Sequence, residues 1–293
     1  MDRSQWTITY ESIQRMARRL RRDPRLVFND VLIVAMYMWS VAHDRPMCWA
    51  CDRRNYSRLF RPRRLPSVSQ FTRRVKSTRV RQVLQWVHED LADVDASVML
   101  QFVDGKPLVV GVASRDPDAR RGHVMGGFAR GYKLHSLMTA SRKIRTFSLT
   151  PLNLHEMPVA SELIAGVPPM TPGSLLLADG NYDAADFHKL VESRGGRLLT
   201  RPRGFARHPV TRRQMGAARR EHNDLWERAY DLCHDVYKLR VAAEGILSAL
   251  TSYGGGLGPL PAFVRRLPRV TRWVGAKIIL YNARVTIKNA AAA

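Results

Sequence analysis

The chain has 293 residues, 45% of them hydrophobic, which is long enough for about two domains and excludes a disordered tail or a disulfide-stapled miniature. Its 48 Lys and Arg against 25 Asp and Glu give a formal net charge of +23, which favours a polyanionic partner such as nucleic acid. The longest apolar run, residues 31–39, is about half as long as a transmembrane span, so a membrane protein is not expected. No apolar signal core opens the chain, and the 3 cysteines indicate a reducing compartment, so a secreted protein is not expected either.

Residues 1–95 predict a small, basic, all-helical domain. Apolar side chains at helical spacing, with arginines between them, predict helices around residues 13–20 and at 26–41, 67–76 and 79–91. This arrangement is typical of a helix-turn-helix DNA-binding domain, although no recognition helix stands out. Cys48 and Cys51 form one half of a zinc-ligand pattern with no second half nearby, which favours free buried cysteines over a metal site.

From residue 98 the pattern changes to apolar strands that alternate with helices. Strands are predicted at residues 98–114, 132–140, 143–151 and 174–180, with a fifth at 197–202, and helices at 157–166 and 184–194. This order predicts an α/β domain with a mixed five-stranded sheet flanked by helices. A long helix is predicted over residues 223–250, where glycines and prolines then stop it.

The charge is distributed unevenly along this second region. Residues 96–193 carry a net charge of +1, whereas residues 194–220 carry nine arginines and no acidic residue, and residues 245–293 have a net charge of +7. A long segment without one carboxylate repels itself unless an anion lies against it. The distribution therefore favours phosphate contacts over a solvated basic surface without a partner.

Three acidic residues stand out by position. Asp104 and Asp179 each end an apolar run, in QFVDG and LLLADG, and Glu244 lies inside the long predicted helix. Carboxylates at strand ends, together with one from a packed helix, offer the hard oxygen ligands that a pair of divalent cations requires. The alternative for each aspartate is a turn residue, because Asp-Gly between apolar runs is a strong hairpin signal.

Tyr237 and Arg240 fall on the same helical stripe as Glu244. At about 100° per residue, a phenol, a guanidinium and a carboxylate share one face of the predicted helix. A surface ion pair between Arg240 and Glu244 is the alternative, but such a pair does not need the tyrosine. The three groups together suit a carboxylate metal ligand flanked by donors to the phosphate of a bound strand.

These residues resemble the DDE transposases of bacterial insertion sequences that carry a Tyr-x2-Arg-x3-Glu-x6-Lys signature. Tyr237, Arg240 and Glu244 keep its spacing, and VDG and ADGNYD resemble the first and second acidic blocks. Between them, RGYKLHSLMTASRKIRTFSLTPLNLHEMPVASELI resembles the family's two strands and the turn into a helix. The signature's lysine position is Thr251, so either another basic residue such as Arg265 contacts that phosphate or activity is impaired.

The resemblance, which covers residues 98–250, implies a ribonuclease H-like catalytic domain over 96–293, with a short Arg-rich segment at 194–220 and a basic C-terminal tail. The domain at 1–95 would then bind transposon ends. The implied cofactor is a pair of Mg²⁺ ions, for which Mn²⁺ can substitute, and the metal-binding catalytic residues would be Asp104, Asp179 and Glu244. The implied reaction is cleavage at the transposon ends, followed by transfer of the 3′-hydroxyl into target DNA.

The implied DNA partners are the terminal inverted repeats and the target, both double-stranded. The implied protein partner is a second copy of the chain in a paired-end homodimer, and the implied location is the prokaryotic cytoplasm. Lys133 and His135 alternate on one face of a predicted strand and can approach DNA, unless that face is simply exposed. The expected DNA contacts are Tyr237, Arg240, Lys133, Arg201, Arg203, Arg212 and Arg213. Two other functions stay open: a catalytically silent DNA-binding relative, which the missing lysine favours, and a host nuclease of the same fold.

Overall fold

The computed structural model describes residues 2–92, 98–202, 215–253 and 256–292. It divides into two compact units, of which the first comprises Met1–Asp93 with Ala249–Ala293 and the second comprises Val94–Ser248. Within the described ranges, the α-helices are α1 Arg3–Ala17, α2 Asp30–Ala42, α3 Val68–Val75, α4 Thr78–Ala92, α5 Glu156–Gly166, α6 Ala185–Ser193, α7 Ala217–Arg228, α8 Tyr230–Lys238, α9 Val241–Ser252 and α10 Leu267–Ala292. The strands are β1 Leu100–Val109, β2 Arg120–Val124, β3 Gly127–Thr139, β4 Ile144–Pro151, β5 Ser174–Ala178 and β6 Gly196–Leu199.

The first unit is helical, and α2 forms its centre. Every residue from Ile33 to Ala42 is buried, which explains the apolar run in the sequence. The ring of Trp6 on α1 lies 5.0 Å from that of Trp39 and 5.1 Å from that of Phe60, measured between centroids. The helical character predicted for the N-terminal region is therefore confirmed, with the helix ends displaced by a few residues.

The C-terminal segment differs from its prediction as a basic tail of the second domain. It forms α10, whose apolar residues Val270, Trp273, Val274 and Ile278 recur at helical spacing and are buried. This helix packs in the first unit, where the side-chain amide of Gln5 donates a hydrogen bond to the Leu280 carbonyl at 2.7 Å. The net charge of this segment suggested a basic tail and did not indicate its apolar face.

The second unit contains one mixed sheet with the strand order β4-β3-β1-β5-β6. The pairs β1–β3 and β3–β4 are antiparallel, whereas β1–β5 and β5–β6 are parallel. This arrangement, with helices packed on the sheet, is the ribonuclease H-like fold that was expected. The sheet also has a sixth strand, β2, which pairs with β3. This strand was not predicted, because it is short and its exposed arginines leave no apolar alternation in the sequence.

Helices α5 and α6 pack against the sheet around a shared core. This core includes Val103 and Leu137 from the sheet, Ala160 and Ile164 from α5, and Phe187 from α6. Because this core fixes both helices to β1 and β5, it also fixes the chain segments that lead into them.

The helix predicted over residues 223–250 is broken into α7, α8 and α9. Ala229 leaves the helical conformation, with φ −135° and ψ 51°. A second break follows α8, where the amide of Arg240 bonds to the Tyr237 carbonyl in a tighter, three-residue turn. The single continuous stripe expected for Tyr237, Arg240 and Glu244 is therefore wrong as a helix geometry.

The two N-terminal cysteines differ in their exposure. Cys48 is exposed, Cys51 is partly buried, and both are free, so the expected burial is wrong for Cys48. The reason is that the short 3-10 helix Met47–Cys51 buries Ala50 instead.

In the described part of the chain, no helix is long and apolar enough to cross a membrane.

Candidate active site

Strand register places Asp104 beside Asp179. In the parallel pair β1–β5, Val103 lies opposite Ala178, and the two aspartates are the next residue on each strand. Asp179 directly follows β5, as predicted, but β1 continues past Asp104, which pairs with Ser136 on β3. Asp104 is therefore neither the end of a strand nor a hairpin turn, because β3 extends its ladder as far as Val109.

Asp179 is held by the short turn that follows β5. Its carboxylate caps the 3-10 helix Gly180–Tyr182, and its Oδ1 accepts a hydrogen bond from the Gly180 amide at 2.5 Å. A side chain at Gly180 would approach the Arg201 carbonyl to 3.2 Å. The glycine thus allows the turn to lie close to the chain beyond β6.

The carboxyl group of Asp104 is mostly buried, and its Oδ1 accepts a hydrogen bond from the Gly105 amide at 2.8 Å. Burial raises the pKa of Asp104 to about 6, although the Gly105 hydrogen bond and Arg240 oppose the shift, and the nearby carboxylates of Glu156 and Asp179 add to it. A carboxylate with this surplus of negative neighbours attracts a cation.

Arg240 connects Asp104 with Glu244. Its Nη2 lies 2.7 Å from Glu244 Oε1, and its Nη1 lies 3.7 Å from Asp104 Oδ2. The guanidinium carbon also lies 6.0 Å from the centre of the Tyr237 ring. The Arg240–Glu244 pair considered as an alternative is thus present, but it also reaches the first aspartate.

Tyr237, Arg240, Glu244 and Asp104 remain together although the predicted helix is broken. The tight turn after α8 keeps Tyr237 and Arg240 in contact. Glu244, in the first turn of α9, is the most open of them, since 59% of its side chain is exposed against 19% for Arg240. Burial by itself lowers the pKa of Arg240, but Tyr237, Asp104, Glu244 and Asp179 together raise it, so the guanidinium stays charged.

Glu156 is a fourth carboxylate that the sequence analysis did not identify as a site residue. It begins α5, and its Oε1 lies 2.9 Å from the Lys133 ammonium on β3. The same oxygen lies 3.3 Å from the position that a Cβ on Gly105 would occupy. The signal available in the sequence was the TPLNLHEM turn, which places an acid at the start of a helix.

The other predicted DNA contacts have mixed outcomes. His135 is buried, with its Nε2 2.9 Å from Thr150 Oγ1, so neither an approach to DNA nor an exposed sheet face fits it. Burial lowers the pKa of His135 to about 4, an effect that Glu156 opposes and Lys133 adds to. Lys133 is engaged by Glu156, whereas Arg201 is exposed. Arg203, Arg212 and Arg213 lie outside the described residues.

A second cluster of polar residues includes Asp183, which follows Asp179 by four positions along the chain. Ligand atoms of Asp183, His188 and His222 lie within 4.8 Å of one another, a spacing that can hold a metal ion. Arg219, however, donates to both oxygens of Asp183 at 2.8 Å, and His222 Nε2 accepts from the Thr200 amide at 3.2 Å. These donors and acceptors satisfy one another, so the cluster is a structural network that ties α6 to α7.

The comparisons with known proteins bear on the identity of this site. No curated protein gives a match. A cryo-EM structure of a piggyBac transposase synaptic complex with hairpin DNA is similar, with a TM-score of 0.47 and 9% sequence identity over 96% of this chain and 73% of that one. The profile of the family described as "Transposase DDE domain" matches residues 91–283. Because this match spans well over half of the chain and includes all three acidic positions, the chain belongs to the DDE transposase family.

Proposed function

We propose that the chain is the transposase of an insertion sequence, which cleaves the phosphodiester bond at the transposon ends and transfers the freed 3′-hydroxyl into target DNA. The observation that carries the proposal is the placement of Asp104 and Asp179 side by side on parallel strands, with Glu244 linked to Asp104 through Arg240. The partners are the terminal inverted repeats, the target duplex and a second copy of the chain in a paired-end complex.

The donor set fits divalent cations. Asp104, Asp179 and Glu244 offer only hard carboxylate oxygens, which suit Mg²⁺ and Mn²⁺. The Arg240 guanidinium already occupies the space between Asp104 and Glu244, so a positive group is accommodated there. Two Mg²⁺ ions held by the three carboxylates would assist the attacking hydroxyl and stabilise the leaving oxygen.

Arg240 and Tyr237 act on the DNA strand rather than on the cations. A phosphate brought to the site competes with Glu244 and Asp104 for the guanidinium of Arg240, which can hold a phosphate through two parallel hydrogen bonds. Tyr237, in contact with that guanidinium, supplies a second donor. Arg201, Arg203, Arg212 and Arg213 contact more distant phosphates in this proposal, while Lys133 can do so only if its ion pair with Glu156 opens.

The function is tested with a linear DNA that carries the element's own inverted repeats, incubated with the full-length chain and a supercoiled target. With Mg²⁺ we expect cuts at the repeat ends and joined products, whereas Ca²⁺ should support binding without cutting. Binding without any cut in Mg²⁺ or Mn²⁺ would establish the silent relative, which Thr251 in the signature's lysine position favours. Cutting without preference for the repeats, and without joining, would establish the host nuclease.

A further inference from the structure

Glu156 lies near Asp104 of the candidate active site, although it is 52 residues away in the sequence. Gly105, the neighbour of Asp104, leaves the space that Glu156 fills, because a Cβ there would approach Glu156 Oε1 to 3.3 Å and its carboxyl carbon to 3.5 Å. Helix α5 is fixed by its buried core residues, so this placement is set by packing and not by a mobile surface side chain.

Lys133 holds the Glu156 carboxylate in place. Lys133 Nζ lies 2.9 Å from Oε1, with only 14% of the lysine side chain and 26% of the glutamate side chain exposed. This contact uses one carboxylate oxygen and leaves Oε2 for another partner.

Tyr182 provides an independent indication that a ligand belongs here. It is 1% exposed, and its hydroxyl makes no hydrogen bond of normal geometry with a described residue. Burial, the charges of Glu156, Asp104 and Asp179, and a poorly aligned hydrogen bond to Glu156 raise the pKa of this phenol, so the hydroxyl lies beside the Glu156 carboxylate. A buried hydroxyl without a well-formed hydrogen bond is costly unless a ligand or its water completes it.

We propose that Glu156 is a fourth carboxylate of the divalent-cation site, an oxygen donor that Lys133 holds beside Asp104 and Asp179. The inference rests on the proposed function, since it requires that the site binds Mg²⁺ or Mn²⁺. Glu156 contributes through Oε2, either directly or through a water molecule that the Tyr182 hydroxyl also contacts.

The test measures Mn²⁺ binding to the DNA-free, full-length chain by the loss of the free-ion electron paramagnetic resonance signal. Glu156→Gln should weaken Mn²⁺ binding by about tenfold or more, the range for an oriented group beside a metal. Glu162→Gln is the matched control, because it removes an exposed carboxylate from the same helix, and it should bind Mn²⁺ as the wild type does.

The variant Lys133→Met/Glu156→Gln covers the case in which Glu156→Gln alone unfolds because Lys133 is left unpaired. It removes both charges, so the net charge near the cations is unchanged, and a loss of affinity then reports the replacement of the carboxylate ligand by a weaker amide. Wild-type Mn²⁺ affinity in the folded double variant, with affinity lost in Asp104→Asn, would overturn the inference and leave the proposed function standing. Wild-type affinity in Asp104→Asn itself would instead overturn the proposed metal site, and this inference with it.

Discussion

At the scale of single residues, the site is built at a cost in stability. Asp104 is buried next to two other carboxylates, and its pKa is raised to about 6 from an ordinary value of 3.8. The folded state therefore binds its proton more tightly than the unfolded state does, and ionisation above pH 6 disfavours folding. In the proposed function this negative charge binds the divalent cations, which offset the repulsion among the carboxylates.

Asp104→Asn is expected to stabilise the protein at neutral pH. The net shift of about two pKa units already includes the opposing Arg240 contact, and at 1.4 kcal/mol each it corresponds to a gain of at most about 3 kcal/mol. The gain should be complete above pH 6, fall as the pH drops from 6 to 4, and vanish below pH 4, where the aspartate is protonated in both states. Denaturant unfolding of both proteins across this pH range measures it, and an equal or lower stability of the variant at pH 7 would refute the shift.

The sequence predicted the structural position of Asp179 more accurately than that of Asp104. Asp179 lies where expected because a strand followed by a polar turn leaves a clear local pattern. The strand predicted over residues 98–114 contains Asp104, but Asp-Gly is also a turn signal, and only the pairing with β3 shows that the strand continues through it. Glu156 was missed as a site residue because the packing of α5 on the sheet, and no local spacing, brings it to Gly105.

At the scale of elements, a buried ionic network fixes the chain behind Asp179. The side chain of Asp183 is fully buried and that of Arg219 is 9% exposed, and their two hydrogen bonds join the start of α6 to α7. His188 adds a contact of 3.2 Å to the same carboxylate. The network therefore fixes the first turn of α7, which forms the end of the Arg-rich segment.

Asp183→Ala should lower the free energy of unfolding by about 3–5 kcal/mol, because it leaves the buried Arg219 charge without its partner. Asp186→Ala removes an exposed carboxylate from the first turn of α6 and should cost about 0.5 kcal/mol or less. Urea denaturation compares the three proteins. Equal small losses in both variants would show that the network contributes little to stability.

Most elements of the second unit were predictable, because alternating apolar strands and amphipathic helices have distinct periods. The breaks between α7, α8 and α9 were not, since neither Ala229 nor Leu239 is a residue that ends helices by itself. The apolar stripe of α10 was present in the sequence, but its basic residues suggested a tail.

At the scale of the whole molecule, the charge is the property that links the fold to DNA. The chain carries a net charge of +23, and the segment of residues 194–220 lacks any carboxylate, whereas the surroundings of Asp104 and Asp179 are acidic. This division suits a protein that attracts a polyanion broadly and concentrates cations at one place.

The salt dependence of DNA binding should be steep. Contacts with about six to ten phosphates give a slope of log K against log salt of about −5 to −9 on duplex DNA. Replacing Arg201, Arg203, Arg212 and Arg213 by alanine should flatten the slope by up to about four units and weaken binding to transposon ends and random DNA by similar factors. Fluorescence anisotropy over a salt series measures the slope, and an unchanged slope would place this segment away from the DNA.

Deletion of residues 1–95 is not a suitable test of end recognition, because the buried face of α10 packs with the helices of that region. Removing them would expose Val270, Trp273 and Ile278 to water and would promote aggregation. Charge replacements on the exposed surface of the intact chain avoid this problem. Arg73 and Lys76, both exposed on or next to α3, are suitable positions.

The most direct test of the central claim compares cleavage with binding in the three carboxylate variants. Asp104→Asn, Asp179→Asn and Glu244→Gln should each abolish Mg²⁺-dependent cleavage of transposon-end DNA while the DNA dissociation constant changes by less than about tenfold, because the basic surfaces supply the affinity. Glu162→Gln should cleave at the wild-type rate. Near-wild-type cleavage by any one of the three variants would remove that residue from the catalytic set and contradict the account.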